Sequence, residues 1–282
     1  MTAPANPSAT HKPVAGSTGR VTPAPETSRP VGDDKASTPR RHDRTMAPLL
    51  AVCGLCGGAG ATTLSYLIAS SAVGRTRGHV LLCDTGGPSG GLAACAGVQS
   101  PRTLVELADH VERGLPLDGG VYALDEAVGT PQAQLRVIAA GPRITDEAST
   151  AGLATVLAMA RSDGAHALTV VDCGTLQRDA DRIALGAASH VAWVLPATRT
   201  GARRADRLLA AMRPGQPGRE LLVARRDDRE PRAALRALRA LAERRQAPLV
   251  LMPQLGDLRE GPRMARTAAQ VSLQAIHGVL QR

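Results

Sequence analysis

From Pro48 onward, short apolar runs alternate with longer segments in which apolar residues recur at helical spacing. The spacing predicts helices over 62–75, 103–111, 150–163, 200–212, 231–245 and 262–281. Seven apolar runs are typical of buried strands, at residues 49–53, 79–84, 135–141, 167–172, 190–196, 220–224 and 248–253. This alternation favours an α/β fold with a doubly wound, mostly parallel sheet. Ligands of such sheets bind at the carboxyl ends of the strands.

The first 46 residues differ from the rest. Residues 1–46 are rich in Pro, Ser, Thr, Gly and Ala and show no apolar periodicity, so they cannot bury enough surface to offset chain entropy. We therefore expect a disordered tail at 1–46 and one domain at 47–282. No apolar run approaches about 18 residues and no signal-peptide core is visible, which predicts a cytoplasmic protein without a transmembrane segment.

The chain is strongly basic, with a formal net charge of +9. Such a charge favours contact with nucleic acid, an acidic partner or anionic lipid. The simpler interpretation is arginine-rich helices with solvated faces, since the Ala, Arg, Gly and Pro bias resembles high-GC coding, as in actinobacteria. The chain has no Phe and two Tyr, so it lacks the aromatic platforms on which single-stranded nucleic acid stacks. DNA is therefore a minor candidate partner.

Five cysteines in a cytosolic chain argue against a disulfide framework. Cys53, Cys83 and Cys173 end predicted strands, and Cys53 and Cys56 have C-x-x-C spacing. Small buried hydrophobic side chains are the simpler interpretation, and metal or redox chemistry is the alternative.

The sequence VCGLCGGAGATTLS at residues 52–65 joins the first strand directly to the first helix. Gly57, Gly58 and Gly60 let backbone N–H groups turn inward, and the helix N-terminus adds positive potential for an anion. Thr62 or Thr63 would offer a hydroxyl to Mg²⁺ or to a phosphate. Ala61 stands where such loops carry a lysine, whose loss costs on the order of a few kcal/mol of phosphate binding.

Three segments together resemble the ParA/MinD family of partition and positioning ATPases. CGGAGATTL is similar to its deviant phosphate loop, LLCDTGGPSGGLAACAGV at 81–98 to its second motif, and LTVVDCG at 168–174 to its Walker B strand. The likeness runs in order over most of residues 48–260. It implies a P-loop NTPase fold that binds ATP and Mg²⁺.

The resemblance also assigns roles to single residues. Gly57, Gly58, Gly60 and Ala61 would form the phosphate cradle, with Thr63 near a phosphate and Thr62 as the Mg²⁺ ligand. Asp84 would hold the attacking water or the metal's outer shell, and Asp172 would be the Walker B acid; these are the two candidate catalytic residues. The family's signature lysine falls on Cys56 and its catalytic lysine on Ala61. Its asparagine after the base-recognition strand has no match, since Ala224 and Arg225 stand there.

A glycine loop without the lysine, of the pattern G-G-x-G-A-[ST], is similar to the loop of one branch of the family. This branch comprises septum-site-determining and CpaE/TadZ-like proteins encoded near actinobacterial pilus or secretion genes. That likeness implies a positioning protein with weak or absent ATP hydrolysis. It also implies a protein partner in a division, pilus or secretion apparatus, a homodimer as a candidate assembly, and peripheral placement at the membrane or cell pole.

Simpler interpretations stay open for each feature. Asp84 and Asp172 would then cap turns, and the glycines at 86, 87, 90 and 91 would form a loop without a ligand. Arg203, Arg204 and Arg207 would form a solvated helix face. Two apolar stripes would pack on the sheet rather than bind DNA or lipid: Leu235, Leu238 and Leu241, and Met264, Ala268, Val271, Ala275 and Val279.

Two further functions of the protein are open. One is an active ATPase that recruits Arg199, Arg203 or a partner's arginine, and the other is a nonspecific DNA-binding protein.

Overall fold

The computed structural model describes residues 46–85, 91–97, 103–115, 123–130, 132–138, 150–162, 164–212, 216–226, 232–255, 258 and 262–282. Eight strands form one sheet in the order β3-β4-β2-β5-β1-β6-β7-β8. Every neighbouring pair is parallel except β3 and β4, which are antiparallel. The doubly wound, mostly parallel α/β fold expected from the sequence is therefore confirmed.

The elements have the following bounds. The strands are β1 Leu49–Gly54, β2 His79–Asp84, β3 Ala123–Thr130, β4 Ala133–Ile138, β5 His166–Asp172, β6 His190–Pro196, β7 Glu220–Arg225 and β8 Leu249–Met252. The helices are α1 Ala61–Val73, α2 Gly91–Ala96, α3 Leu104–Glu112, α4 Thr150–Ser162, α5 Asp179–Ala187, α6 Arg199–Ala210, α7 Arg232–Arg245 and α8 Pro262–Leu280.

All seven predicted strands and all six predicted helices are present. One strand and two helices of the structure, β3, α2 and α5, were not predicted from the sequence. Strand β3 contains Asp125, Glu126 and Gly129 and lies at the edge of the sheet, where two-sided burial, and hence an apolar run, is not required. The predicted tail lies outside the described residues apart from Met46, as do Gly86, Gly87 and Gly90 of the second motif.

Alternate residues of each strand supply two apolar layers. In β1, Leu50 and Val52 face a layer shared with α1 and α8, whereas Leu49, Ala51 and Cys53 face a layer shared with α3, α4, α6 and α7. All five β1 side chains are fully buried because β1 lies between β5 and β6, with helices on both sheet faces. This central strand ends directly in the glycine loop, so the loop follows a fully buried part of the sheet.

The C-terminal helix corrects one expectation. The stripe expected to pack on the sheet is exposed at Met264, Ala268, Val271 and Ala275, and only Val279 of that set is buried. The residues that do pack are Ala265, Ala269, Leu273 and Ile276, one or two positions along the helix. In α7 the expected packing holds, since Leu238 and Leu241 are buried and Leu235 is half-buried against the core. No helix in the described part of the chain is long and apolar enough to cross a membrane.

A buried ion pair ties β7 to α7. The Arg245 guanidinium donates to both carboxylate oxygens of Glu220, with Nη2–Oε1 at 2.5 Å and Nε–Oε2 at 3.1 Å. It also donates through Nη1 to the Leu209 and Met212 carbonyl oxygens. Trp193 Nε1 donates to Glu220 Oε1 at 2.6 Å. Both charged side chains are 6% exposed, so this is a closed, hydrogen-bonded cluster.

Candidate functional site

The glycine loop after β1 contains two glycines with left-handed backbone conformations. Gly58 has φ +69° and Gly60 has φ +95°, in the left-handed region where side chains are strained. Helix α1 begins at Ala61, and its first helical hydrogen bond runs from Leu64 N–H to the Gly60 carbonyl at 2.9 Å. The N–H groups of Ala61, Thr62 and Thr63 therefore have no acceptor within the helix, which leaves them available to an anion.

The start of the loop is fixed by three hydrogen bonds from neighbouring elements. Gly54 N–H donates to the Gly174 carbonyl at 2.7 Å, and Leu55 N–H donates to the Val194 carbonyl at 2.8 Å. Arg204 Nε donates to the Leu55 carbonyl at 2.9 Å. The loop is thus anchored to the ends of β5 and β6 and to α6 before the glycines begin.

A cavity of about 440 Å³ lies over this loop at the carboxyl ends of β1, β2 and β5. Its volume falls in the range typical of small-molecule sites. Described residues from the loop, the strand ends and the segment after β5 line it: Gly54, Cys56, Gly58, Ala59, Gly60, Ala61, Thr62, Thr63, Asp84, Gly91, Asp172, Gly174, Thr175, Gln177, Arg178, Asp181 and Arg225. Both predicted acids and most of the predicted cradle therefore meet at one site; Gly57 is not among the lining residues.

Asp172, at the end of β5, is 1% exposed and faces the loop. Burial raises the pKa of its carboxyl group; hydrogen bonds from the Thr62 side chain and the Gly174 N–H act in the opposite direction, as does the charge of Arg178. The Gly174 N–H bond to Oδ1 measures 3.2 Å. The two residues expected to handle Mg²⁺, Thr62 and Asp172, thus lie close enough for the Thr62 side chain to act on the pKa of the Asp172 carboxyl group.

A second buried acid, Asp181, was not foreseen. It is 1% exposed, and its Oδ2 accepts from the Arg178 N–H at 3.1 Å at the start of α5. Its Oδ1 has no hydrogen-bond partner among the described residues. Burial raises the pKa of Asp181, while hydrogen bonds from the Arg178 N–H and the Thr85 side chain and the charge of Arg178 oppose that rise. Asp172 and Asp181 are therefore two desolvated carboxyl groups on which the charge of Arg178 acts.

Asp84 lies next to Asp172, because the two residues are paired in the register of β2 and β5. Asp84 is 3% exposed. Burial and the neighbouring Asp84 charge raise the pKa of the Cys83 thiol to about 12, so Cys83 stays protonated at neutral pH. Cys53, Cys83 and Cys173 are buried, and all five cysteines are free thiols. Among the described residues, no group of three or more His, Cys, Asp or Glu is placed to hold a metal ion.

The arginines around the cavity differ from those expected. Arg199 and Arg203 are exposed on α6 and do not line the cavity in the part of the chain described, and neither does Arg207. Arg178 and Arg225 do. Arg225 ends β7, so the rule that sites form at the carboxyl ends of parallel strands could have indicated it. Arg178 and Asp181 follow β5 in a segment that was not recognised as the start of a helix.

These residues fit a phosphate group with a bound cation. The left-handed glycines and the N–H groups without an acceptor within α1 have the geometry of an anion cradle, and Gly60 and Thr63 line the cavity there. Thr62 and Asp172 offer two oxygen ligands. Mg²⁺ is commonly held by one or two protein groups together with phosphate oxygens and waters, so a larger set of protein ligands is not needed.

A doubly wound sheet with a glycine loop between its central strand and first helix, and acids at the ends of neighbouring strands, is typical of α/β proteins that bind phosphate groups at this end of the sheet. No family model matches the chain, and no curated protein matches its sequence at a significant level. Solved structures do share the fold. A ParA family ATPase from Chlorobium tepidum TLS superposes with a TM-score of 0.60 at 17% identity, covering 81% of this chain and 92% of that one.

Two cell-division proteins give the same result. A chain of the Aquifex aeolicus MinC:MinD cell division protein complex has a TM-score of 0.60 at 16% identity, covering 82% of this chain and 96% of that one. Pyrococcus horikoshii OT3 MinD has a TM-score of 0.60 at 17% identity, covering 81% and 94%. At these identities the likeness establishes the fold alone: the chain has the ParA/MinD-like fold.

Proposed function

We propose that this chain is a ParA/MinD-like positioning or regulatory protein whose phosphate loop binds a nucleotide but hydrolyses it weakly or not at all. The observation that carries the proposal is the cavity over the loop: Thr62, Asp84 and Asp172 meet there, and Ala61 stands in place of a lysine. Among proteins of this fold, one MinD structure is described with Mg-ADP, a McdA structure with ATP, and MinD with MinC. Those names support ATP and Mg²⁺ as ligands and a protein partner.

In this site each group would have a separate task. The loop N–H groups would hold the phosphates, and Thr62 and Asp172 would hold the cation, which neutralises phosphate charge when bound. Asp84 would orient a water molecule. The absence of a lysine at Ala61 removes a charge that stabilises the transferring phosphate, so hydrolysis would be slow while the fold and its partner surface remain.

The test is phosphate release by the purified full chain with Mg²⁺ and ATP, alongside the Ala61→Lys variant. We expect little or no turnover from the wild type and a higher rate from A61K, which Asp172→Ala should abolish in the A61K background. Several turnovers per minute by the wild type would contradict the weak-hydrolysis part of the proposal.

The positioning role needs a separate measurement. A fluorescent fusion of the full chain in its native cell should form foci or polar caps, consistent with peripheral recruitment to a division, pilus or secretion apparatus. Uniform cytoplasmic fluorescence throughout the cell cycle would argue against that role whatever the hydrolysis rate.

One observation favours a second candidate function, an active ATPase with a substitute arginine: Arg225 lines the same cavity. In that case wild-type turnover would be fast, and Asp172→Ala would abolish it. Turnover that D172A leaves unchanged would eliminate this candidate.

A further inference from the structure

The guanidinium of Arg225 lies beside the residue that precedes Ala61. Its Nη1 is 3.9 Å from the place where a Cβ on Gly60 would be. Arg225 lines the cavity over the glycine loop and also a smaller neighbouring cavity of about 90 Å³. A cation from the other half of the sheet is therefore present next to the position where the lysine is missing.

Hydrogen bonds to two neighbouring strands fix the backbone at Arg225, although its side chain is exposed. Its carbonyl accepts from Ala197 N–H at 2.9 Å, and the next N–H, of Arg226, donates to the Met252 carbonyl at 2.8 Å. Within the described part of the chain, the Arg225 guanidinium makes no hydrogen bond or ion pair. The protein thus holds the backbone of Arg225 firmly, and the charged end of the side chain has no hydrogen-bond or ion-pair partner among the described residues.

The second arginine of the cavity is already engaged. Arg178 Nη1 donates to the Thr85 carbonyl at 2.7 Å, and its charge acts on both Asp172 and Asp181. Its positive charge is therefore offset by the two buried carboxyl groups. Arg225 lies next to the glycine loop, and no described carboxylate forms an ion pair with it.

We propose that Arg225 supplies, for the binding of a polyphosphate, the positive charge that Ala61 does not. The ligand class is a nucleoside di- or triphosphate, whose phosphate chain would lie between the loop N–H groups and the Arg225 guanidinium. This assignment deepens the proposed function and rests on its phosphate site. It also differs from the sequence-based expectation, in which Arg199 or Arg203 would replace the lysine.

Binding affinity tests the assignment directly. Isothermal titration of the full chain with Mg-ATP, Mg-ADP and inorganic pyrophosphate should show Arg225→Ala weakening binding about 10- to 100-fold, the usual effect of losing a hydrogen bond to a charged group. Arg226→Ala is the matched control, because Arg226 is the exposed neighbour that does not line the cavity; it should stay within about twofold. Binding of the two nucleotides but not pyrophosphate would identify a nucleotide site rather than a general phosphate site.

A lysine introduced at position 61 tests whether the positive charge of Arg225 is what binding requires. If Arg225 replaces the lysine, Ala61→Lys should recover binding in the R225A background, and R225A should cost little in the A61K background. Equal losses from R225A with and without A61K would overturn the assignment, as would unchanged affinity in R225A alone. A wild type that binds none of the three ligands would also overturn it, but a positioning role shown by foci would stand. Fast wild-type hydrolysis, in turn, would contradict the weak-hydrolysis proposal and leave the role of Arg225 intact.

Discussion

Charged side chains are buried in two regions of this molecule, and the two regions treat them differently. Beneath α6 and α7, Glu220 and Arg245 satisfy each other and the surrounding carbonyls. In the cavity over the glycine loop, Asp172 and Asp181 have raised pKa values, and one oxygen of Asp181 has no described partner. The exposed Arg225 guanidinium makes no hydrogen bond or ion pair with a described residue. A cluster with complete pairing stabilises the fold. Charged groups that lack partners in an open cavity are better explained by a ligand that would pair with them.

The largest expected effect comes from breaking the closed cluster. Glu220→Ala leaves Arg245 buried without its counter-charge and removes the acceptor of Trp193, so the free energy of unfolding should fall by about 3–5 kcal/mol. Denaturant unfolding followed by Trp193 fluorescence would measure it. Arg244→Ala is the control on the same helix: Arg244 pairs with Asp206 at the surface, and its loss should cost at most about 1 kcal/mol. A loss below about 1 kcal/mol in E220A would mean that the cluster is not structural.

The next effect concerns the backbone of the cavity. Gly60 has φ +95° whereas Gly57 has no positive φ, and an added Cβ at Gly57 would meet no atom within 4 Å. Gly60→Ala should therefore lower the free energy of unfolding by about 1–2 kcal/mol. Gly57→Ala should change it by no more than about 0.5 kcal/mol. Chemical denaturation of the two variants side by side provides the measurement, and equal stabilities would show that the left-handed conformation at Gly60 is not required.

The apolar pattern predicted the framework of the fold because burial on both faces of a parallel sheet imposes continuous apolar strands. That is why β1, β5 and β6 were recognised, and why the glycine loop could be placed at the end of β1. The pattern failed at β3, whose edge position does not demand such a run, and at α5, where Ala184 is the only fully buried apolar residue. It also misplaced the packing face of α8 by one or two residues.

The site was predictable only in part, for a related reason. Asp84 and Asp172 end β2 and β5, and Thr62 begins α1 directly after the glycine loop, so their meeting at one edge of the sheet follows from strand order. Asp181 comes to the cavity from α5, and its proximity depends on how that helix packs. Arg225 ends β7, so the same strand rule could have placed it at this edge, but the rule does not give how close its guanidinium comes to the glycine loop. A cation that replaces a lysine can come from any neighbouring strand end, so the sequence left Arg199 and Arg203 as reasonable candidates until the structure showed their position.

A smaller effect is expected from the charge on Asp172. Its raised pKa means that the folded state binds this proton more tightly than the unfolded chain does, so ionisation at neutral pH costs stability. Stability of the unliganded wild type should rise as the pH falls from above the folded-state pKa towards the ordinary aspartate value. Asp172→Asn should be more stable than the wild type at neutral pH and should show a flatter profile over that window. Thermal unfolding across this pH range measures the effect, with the exposed Asp206→Asn variant as control. Stability that falls as the pH is lowered through this range would contradict the prediction.

The smallest expected effect is the most direct test of the comparison. Arg225→Ala removes a guanidinium that pairs with no described group, so the free energy of unfolding without ligand should change by no more than about 0.5 kcal/mol. Arg245→Ala, by contrast, should cost about as much as E220A, because it leaves Glu220 buried and unpaired. Thermal unfolding with and without saturating Mg-ATP separates the two roles: ligand should raise the wild-type midpoint and raise that of R225A much less, since stabilisation follows affinity. A loss above about 1 kcal/mol in unliganded R225A would place Arg225 with the structural arginines and remove the distinction between the two regions.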